Sequence, residues 1–140
     1  MKTTPLALAV AGGVLLAGLP AMASADDDGP RRDVNRTGNH TVKKGTEING
    51  NVTVRNGRLV INGDVDGNVT LRNGSVVVRG DVDGNVRQFG RGSVVIAASG
   101  SVDGNVAEKG RGNVDVRGDV DGNVTELDHG HLRVLASAEI

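Results

Sequence analysis

From Ile48 onward, apolar residues come mostly in pairs two positions apart, separated by polar or glycine-containing bends. The first set is Ile48, then Val52 and Val54, then Leu59 and Ile61. The second is Val65, then Val69 and Leu71, then Val76 and Val78. A spacing of two is the strand period, which sends alternate side chains to opposite faces. No segment beyond residue 25 sustains a helical period, so the pattern predicts short strands joined by tight bends. Three such strands close one triangular coil, and equivalent strands of successive coils stack about 4.8 Å apart, pairing their backbone groups.

The bends carry a repeat, G-D-V-D-G-N-V. It runs from Gly63 to Val69 and again from Gly80 to Val86, Gly100 to Val106 (with Ser101) and Gly118 to Val124. A degenerate first copy spans Thr46 to Val52. The inner glycine stands at 50, 67, 84, 104 and 122, in steps of 17, 17, 20 and 18 residues. The expected fold is therefore all-β, a single-stranded β-helix (solenoid) of about five coils of 17–20 residues, occupying residues 41–135. Val82 should stack between Val65 and Val102, and Val77 should face outward.

The longer steps locate insertions. Val69 to Val76 is seven residues, whereas Val86 to Val94, Val106 to Val114 and Val124 to Leu132 are eight. The added residue falls in a bend, where it is expected to let Phe89 and Leu127 turn inward at the place of Leu71. Glu108 and Lys109 fill that place in the fourth copy, which should be the weakest coil. Ala97-Ala98-Ser99 holds further residues, expected as a bulge at a corner.

Outside the repeat the chain reads differently. Lys2 precedes an apolar run from Leu6 to Leu19, then Pro20 and Ala23-Ser24-Ala25, followed by Asp26-Asp27-Asp28. A charged start, a short apolar centre and an A-x-A site describe a secretory signal peptide, residues 1–25, cut after Ala25. The run is shorter than the roughly 20 residues of a spanning helix, so no membrane span is expected after cleavage, and the protein is expected to be secreted or held in the cell envelope. Residues 26–40 are polar and aperiodic, expected as a disordered leader, with a partial strand at Thr41-Val42-Lys43. Residues 136–140 form a C-terminal tail.

Cleavage leaves 15 Lys and Arg against 17 Asp and Glu, a balance that argues against nucleic acid as a partner. Without cysteine there is no disulfide and no thiolate metal site. Phe89 is the one aromatic residue, too few for an ordinary globular core.

Candidate chemistry lies within the repeat. Asp66, Asp83, Asp103 and Asp121 share one position, and Asp64, Asp81 and Asp119 another. Acidic columns of an exported protein are candidate calcium ligands, yet Asp and Asn beside Gly are also what a tight bend requires, and turn chemistry is the favoured reading. Asn51, Asn68, Asn85, Asn105 and Asn123 recur in every copy, predicting a ladder of side-chain amides. A sugar-binding role for it lacks an aromatic platform. His129 and His131 would share a face if extended, but with His40 they are the only histidines, and no third ligand adjoins them. Thr53, Thr70 and Thr125 share a position that Arg87 and Ala107 interrupt, against an ice-binding array. No catalytic residues, cofactor or metal site are expected. Hexapeptide acyltransferases need an aliphatic residue every six positions, whereas Leu71 to Val76 is five and Val78 to Val82 four; pectin-lyase-like enzymes have longer coils and projecting loops.

The stacked G-D-V-D-G-N-V units, with V-x-V or L-x-I strands such as Leu59-Val60-Ile61 and Val76-Val77-Val78, resemble the bactofilin family of bacterial polymer-forming β-helical proteins. The resemblance covers roughly residues 45–134. It implies a right-handed triangular β-helix that associates end to end into filaments without nucleotide or cofactor. Bactofilins are typically cytoplasmic, whereas this chain opens on an export signal. The expected function is that of a non-catalytic structural repeat protein that polymerises with itself, with a cell-envelope component as a further partner. The alternative is a monomeric extracytoplasmic module that binds envelope polysaccharide or divalent cations. Physics points to association as well, because each end of a solenoid exposes strand edges and an apolar section.

Overall fold

In a computed structural model of the chain, residues 32–135 are described. The expected signal peptide (residues 1–25), residues 26–31 of the expected leader and the tail 136–140 lie outside the described residues. The first coil holds β1 (Val34–Thr37), β2 (His40–Val42) and β3 (Glu47–Ile48). The second holds β4 (Val52–Arg55), β5 (Leu59–Ile61) and β6 (Asp64–Val65), and the third β7 (Val69–Arg72), β8 (Val76–Val78) and β9 (Asp81–Val82). The fourth holds β10 (Val86–Gly90), β11 (Val94–Ile96) and β12 (Ser101–Val102), and the fifth β13 (Val106–Gly110), β14 (Val114–Val116) and β15 (Asp119–Val120). A sixth begins with β16 (Val124–Asp128) and β17 (Leu132–Val134).

Strands of successive coils pair in parallel to build three sheets. Sheet 1 runs β1-β4-β7-β10-β13-β16, sheet 2 runs β2-β5-β8-β11-β14-β17, and sheet 3 runs β3-β6-β9-β12-β15. The all-β solenoid read from the repeat is therefore the fold, with about six turns. The extra turn begins in residues expected in the leader, Val34 to His40, and is completed by β2 and β3. β1 pairs with β4, placing Val34 beside Val52, and β2 pairs with β5, placing Val42 beside Ile61. A free strand edge at β4 supplies backbone partners whatever side chains arrive, so polar Asn35-Arg36-Thr37 is drawn into the sheet.

Inward positions repeat as columns. Val82 pairs with Val65 on one side and Val102 on the other, as expected. Leu59, Val76, Val94 and Val114 form another column, all fully enclosed. Each buried Val, Leu or Ile contributes roughly 1.5–3 kcal/mol. The bore suits branched aliphatic chains, and Phe89 stays outside it, with the Arg72 guanidinium 5.5 Å from its ring centre.

Two devices hold the D-G-N bends in register. The Asn68 backbone N–H donates to Asn51 Oδ1 at 2.9 Å, Asn85 to Asn68 at 2.9 Å, Asn105 to Asn85 at 2.8 Å and Asn123 to Asn105 at 2.8 Å. Side-chain amides reinforce the ladder, as from Asn85 Nδ2 to Asn68 Oδ1 at 3.0 Å. Asp33 starts it, accepting from the Asn51 N–H at 2.8 Å. Beside the ladder the backbones approach so closely that a Cβ at Gly84 would lie 2.5 Å from Gly67 O, so only glycine fits. The Ala97-Ala98-Ser99 insertion is a turn at the corner from sheet 2 to sheet 3, closed by Gly100 N–H to Ala97 O at 2.8 Å.

Candidate functional site

The inward place of Leu71 is filled differently from the expectation. In register with Leu71 stand Gln88, then Glu108, then Glu126, whereas Phe89 and Lys109 fall in register with Arg72 on the outward side. Leu127 follows that outward column and is 47% exposed. Phe89 and Leu127 therefore do not turn inward; Gln88 and Glu126 do, and of the fourth-copy pair only Glu108 does. Strand parity decides this. With Val86 inward, residue 88 is inward too, and a slip would break the ladder to β7.

The wide corner makes these polar residues tolerable. Its extra residue opens a loop of peptide groups, and Gln88 Nε2 donates to Gly74 O (3.1 Å), Phe89 O (3.0 Å) and Arg91 O (3.0 Å). Glu108 answers the opposite need, its Oε1 accepting from the Gly112 N–H at 2.8 Å. Both side chains are fully enclosed. Each column member still has one buried oxygen without a partner among the described residues: Gln88 Oε1, Glu108 Oε2 and Glu126 Oε2. Enclosure pushes the Glu108 carboxyl above its ordinary range, against the Gly112 N–H, and the charges of Glu126 and Asp128 push the same way. The sequence signal was available, since Gln or Glu stands two residues after the inward Val wherever the corner has eight residues.

The acidic residues form the columns read from the sequence. Glu47, Asp64, Asp81, Ser101 and Asp119 are in register along sheet 3. Asp66, Asp83, Asp103 and Asp121 begin the bends, each backbone N–H donating to a carbonyl of the preceding coil, as from Asp83 to Val65 O at 2.9 Å. All of these carboxylates are exposed. Thr53 and Thr70 are in register and Arg87 and Ala107 interrupt the column before Thr125. His129 and His131 flank Gly130 in the last corner, both exposed, while His40 lies in the first coil. Burial and the nearby Arg36 hold the His40 imidazole below its usual range. No cluster of three metal-ligating side chains occurs among the described residues.

On the outer face of sheet 2, Val60, Val77 and Val95 are in register. Val77 faces away from the core, as expected, yet is only 6% exposed, because it floors a shallow groove rimmed by Asn56, Arg58, Asn73 and Ser75. No aromatic residue lines that groove. Farther along the same face Asp115 receives Arg117 at 3.1 Å and Arg133 at 2.9 Å, which hold its carboxyl below the usual range.

The last coil differs from the others in exposure. Leu132 and Val134 lie in register with enclosed Val114 and Val116, yet are 45% and 39% exposed. No described strand lies beyond them. No protein-family model, curated protein or solved structure matches the chain.

Proposed function

We propose that the chain is an exported, non-catalytic structural protein of bactofilin type whose solenoids join end to end. The observation that carries this reading is the exposure of Leu132 and Val134, core residues by register that no coil among the described residues covers. Above them the edges of β16 and β17 run parallel to the edges that β1 and β2 present at the other end. Contact between unlike ends is head to tail, and it grows into an open filament where rotation does not close a ring. Such a contact pairs strand edges and buries apolar section at once.

The edge groups can be named. His131 O accepts from Val114 N–H, and Leu135 N–H donates to Val116 O, both at about 3 Å. Backbone groups alternate along a parallel strand, so Arg133 also faces β14, and Leu132 and Val134 present the free edge. Val134→Pro removes an edge donor and leaves the β14 pairing intact; Arg133→Pro unhooks β17 from β14. Sedimentation and electron microscopy should show wild-type polymers growing with concentration and Val134→Pro held to short species with an unchanged β spectrum. Wild-type protein that stays monomeric at high concentration, with or without calcium, overturns the reading. The exposed acidic columns of sheet 3 then favour a monomeric module for divalent cations or envelope polysaccharide. Export is tested separately: secreted protein should begin at Asp26, and a Met1 start in the cytoplasm refutes it.

A further inference from the structure

The chain is nearly neutral, but its charges are sorted by side. Sheet 3 and the bends that follow it carry the two acidic columns and no Lys or Arg. The corner between sheets 1 and 2, which lies across the coil from sheet 3, is basic: Arg55 and Arg72 end their strands in register, Arg58, Arg91 and Arg111 sit in the bends, and Lys109 ends a third strand. All six are exposed, and Asp128 in the last coil is the one exposed acid on that corner. Lys43, Lys44, Arg79 and Arg117 stand at the corner from sheet 2 to sheet 3, so sheet 3 is the acidic side of an otherwise basic section.

Neither set is neutralised from within. The ion pairs among the described residues are those of Asp115 with Arg117 and Arg133, so none of the acidic columns or the basic corner takes part in one. Like charges one coil apart, about 4.8 Å, lie well inside the roughly 10 Å screening length at about 0.1 M salt. Each column thus repels itself in the lone molecule and gains from an opposite column brought beside it.

We propose that solenoids of this chain also associate side by side, the acidic face of sheet 3 on one copy against the basic corner between sheets 1 and 2 on another. A second copy is the occupant because one chain presents both signs with the same coil repeat along the same axis. A polyanion would answer only the basic corner, and a cation only the acidic face. The contact joins unlike surfaces, so it repeats from copy to copy and gathers filaments or single solenoids into sheets. It is independent of the end contact, which is apolar and backbone-mediated, and so responds oppositely to salt.

The test uses the full chain in the Val134→Pro background, which removes end growth. Sedimentation velocity in about 0.01 M salt should show associated species that dissociate in about 1 M salt, as the screening length falls from about 30 Å to 3 Å. Two triple variants act on one side each: Asp66→Lys, Asp83→Lys and Asp103→Lys remove most of the negative charge of the acidic face, and Arg58→Glu, Arg91→Glu and Arg111→Glu remove the positive charge of the basic corner. Each alone should associate much less at low salt, and an equimolar mixture should recover association, since the first variant keeps the basic corner and the second the acidic face. Salt-independent association, or folded variants that fail to recover on mixing, overturns the proposal. So does wild-type protein that associates only when polyphosphate or calcium is added, which names a polyanion or a cation as the occupant instead. Where a triple variant fails to fold by circular dichroism, the salt titration of the parent decides alone.

Discussion

Replacing Glu108 by glutamine alters one atom at the centre of a wide corner. Oε1 remains to accept the Gly112 N–H, which it meets at 2.8 Å. The other oxygen becomes an N–H donor where the wild-type Oε2 has no partner, and the adjoining coils offer Gln88 Oε1 and Glu126 Oε2, both buried acceptors without one. A buried polar atom left unpaired costs about 1–3 kcal/mol. Enclosure raises the Glu108 pKa in the folded chain. Its contribution to stability is therefore fully present below the unfolded carboxyl value of about 4.3 and is lost as pH rises through the folded value. Glu108→Gln should accordingly stabilise by about 1–3 kcal/mol near pH 8 and by almost nothing near pH 4, where the protonated acid and the amide are close in shape and bonding. At about 4–8 °C per kcal/mol for a domain of this size, thermal melts followed by circular dichroism resolve the difference. Asp115, held below its usual range, loses stability in acid in both proteins and cancels from the comparison. A melting gap independent of pH, or a variant less stable than wild type near pH 8, would refute the account of the buried column.

Further outcomes follow from particular residues. Asp128 takes φ 91° at the place that Gly90 and Gly110 hold in the preceding coils, so Asp128→Gly should stabilise the last coil by about 1 kcal/mol, read as slower amide exchange in β16 and β17. Val82→Asp buries a carboxylate between Val65 and Val102 and should cost several kcal/mol; Val77→Asp, in the outer groove, should cost clearly less, and equal losses of melting temperature would mean that the faces are misassigned. Asn85→Ala leaves the Asn105 N–H without the acceptor it meets at 2.8 Å and should lower stability by about 1–3 kcal/mol, measured by urea unfolding.

Much of the architecture was legible because the repeat states its own geometry. Val and Ile two apart can only be inward on a strand, and a bend that returns every 17 to 20 residues stacks Val65 on Val82 and Asn68 on Asn85. The choice between Gln88 and Phe89 was also written in the chain, but in two conflicting signals. Hydrophobicity favours the phenylalanine, whereas parity from Val86 favours the glutamine. Parity prevails because a one-residue slip of the β-ladder would send every side chain of the strand to the opposite face, and because peptide carbonyls of this corner and the one before it accept from the amide nitrogen.

The sequence by itself determined the coil, its three strands, the columns of valine and the asparagine ladder, all set by short-range period and by the identity of successive copies. The opening strand of the first coil, β1, was decided by tertiary structure alone. Val34 to Thr37 has one apolar residue and no period, and it becomes a strand because the open edge of β4 offers N–H and C=O groups that must find partners. Only the folded chain, likewise, shows which charges lie across the coil from one another and which core residues have no neighbouring coil among the described residues. Those are relations between segments far apart in sequence, and no local pattern carries them.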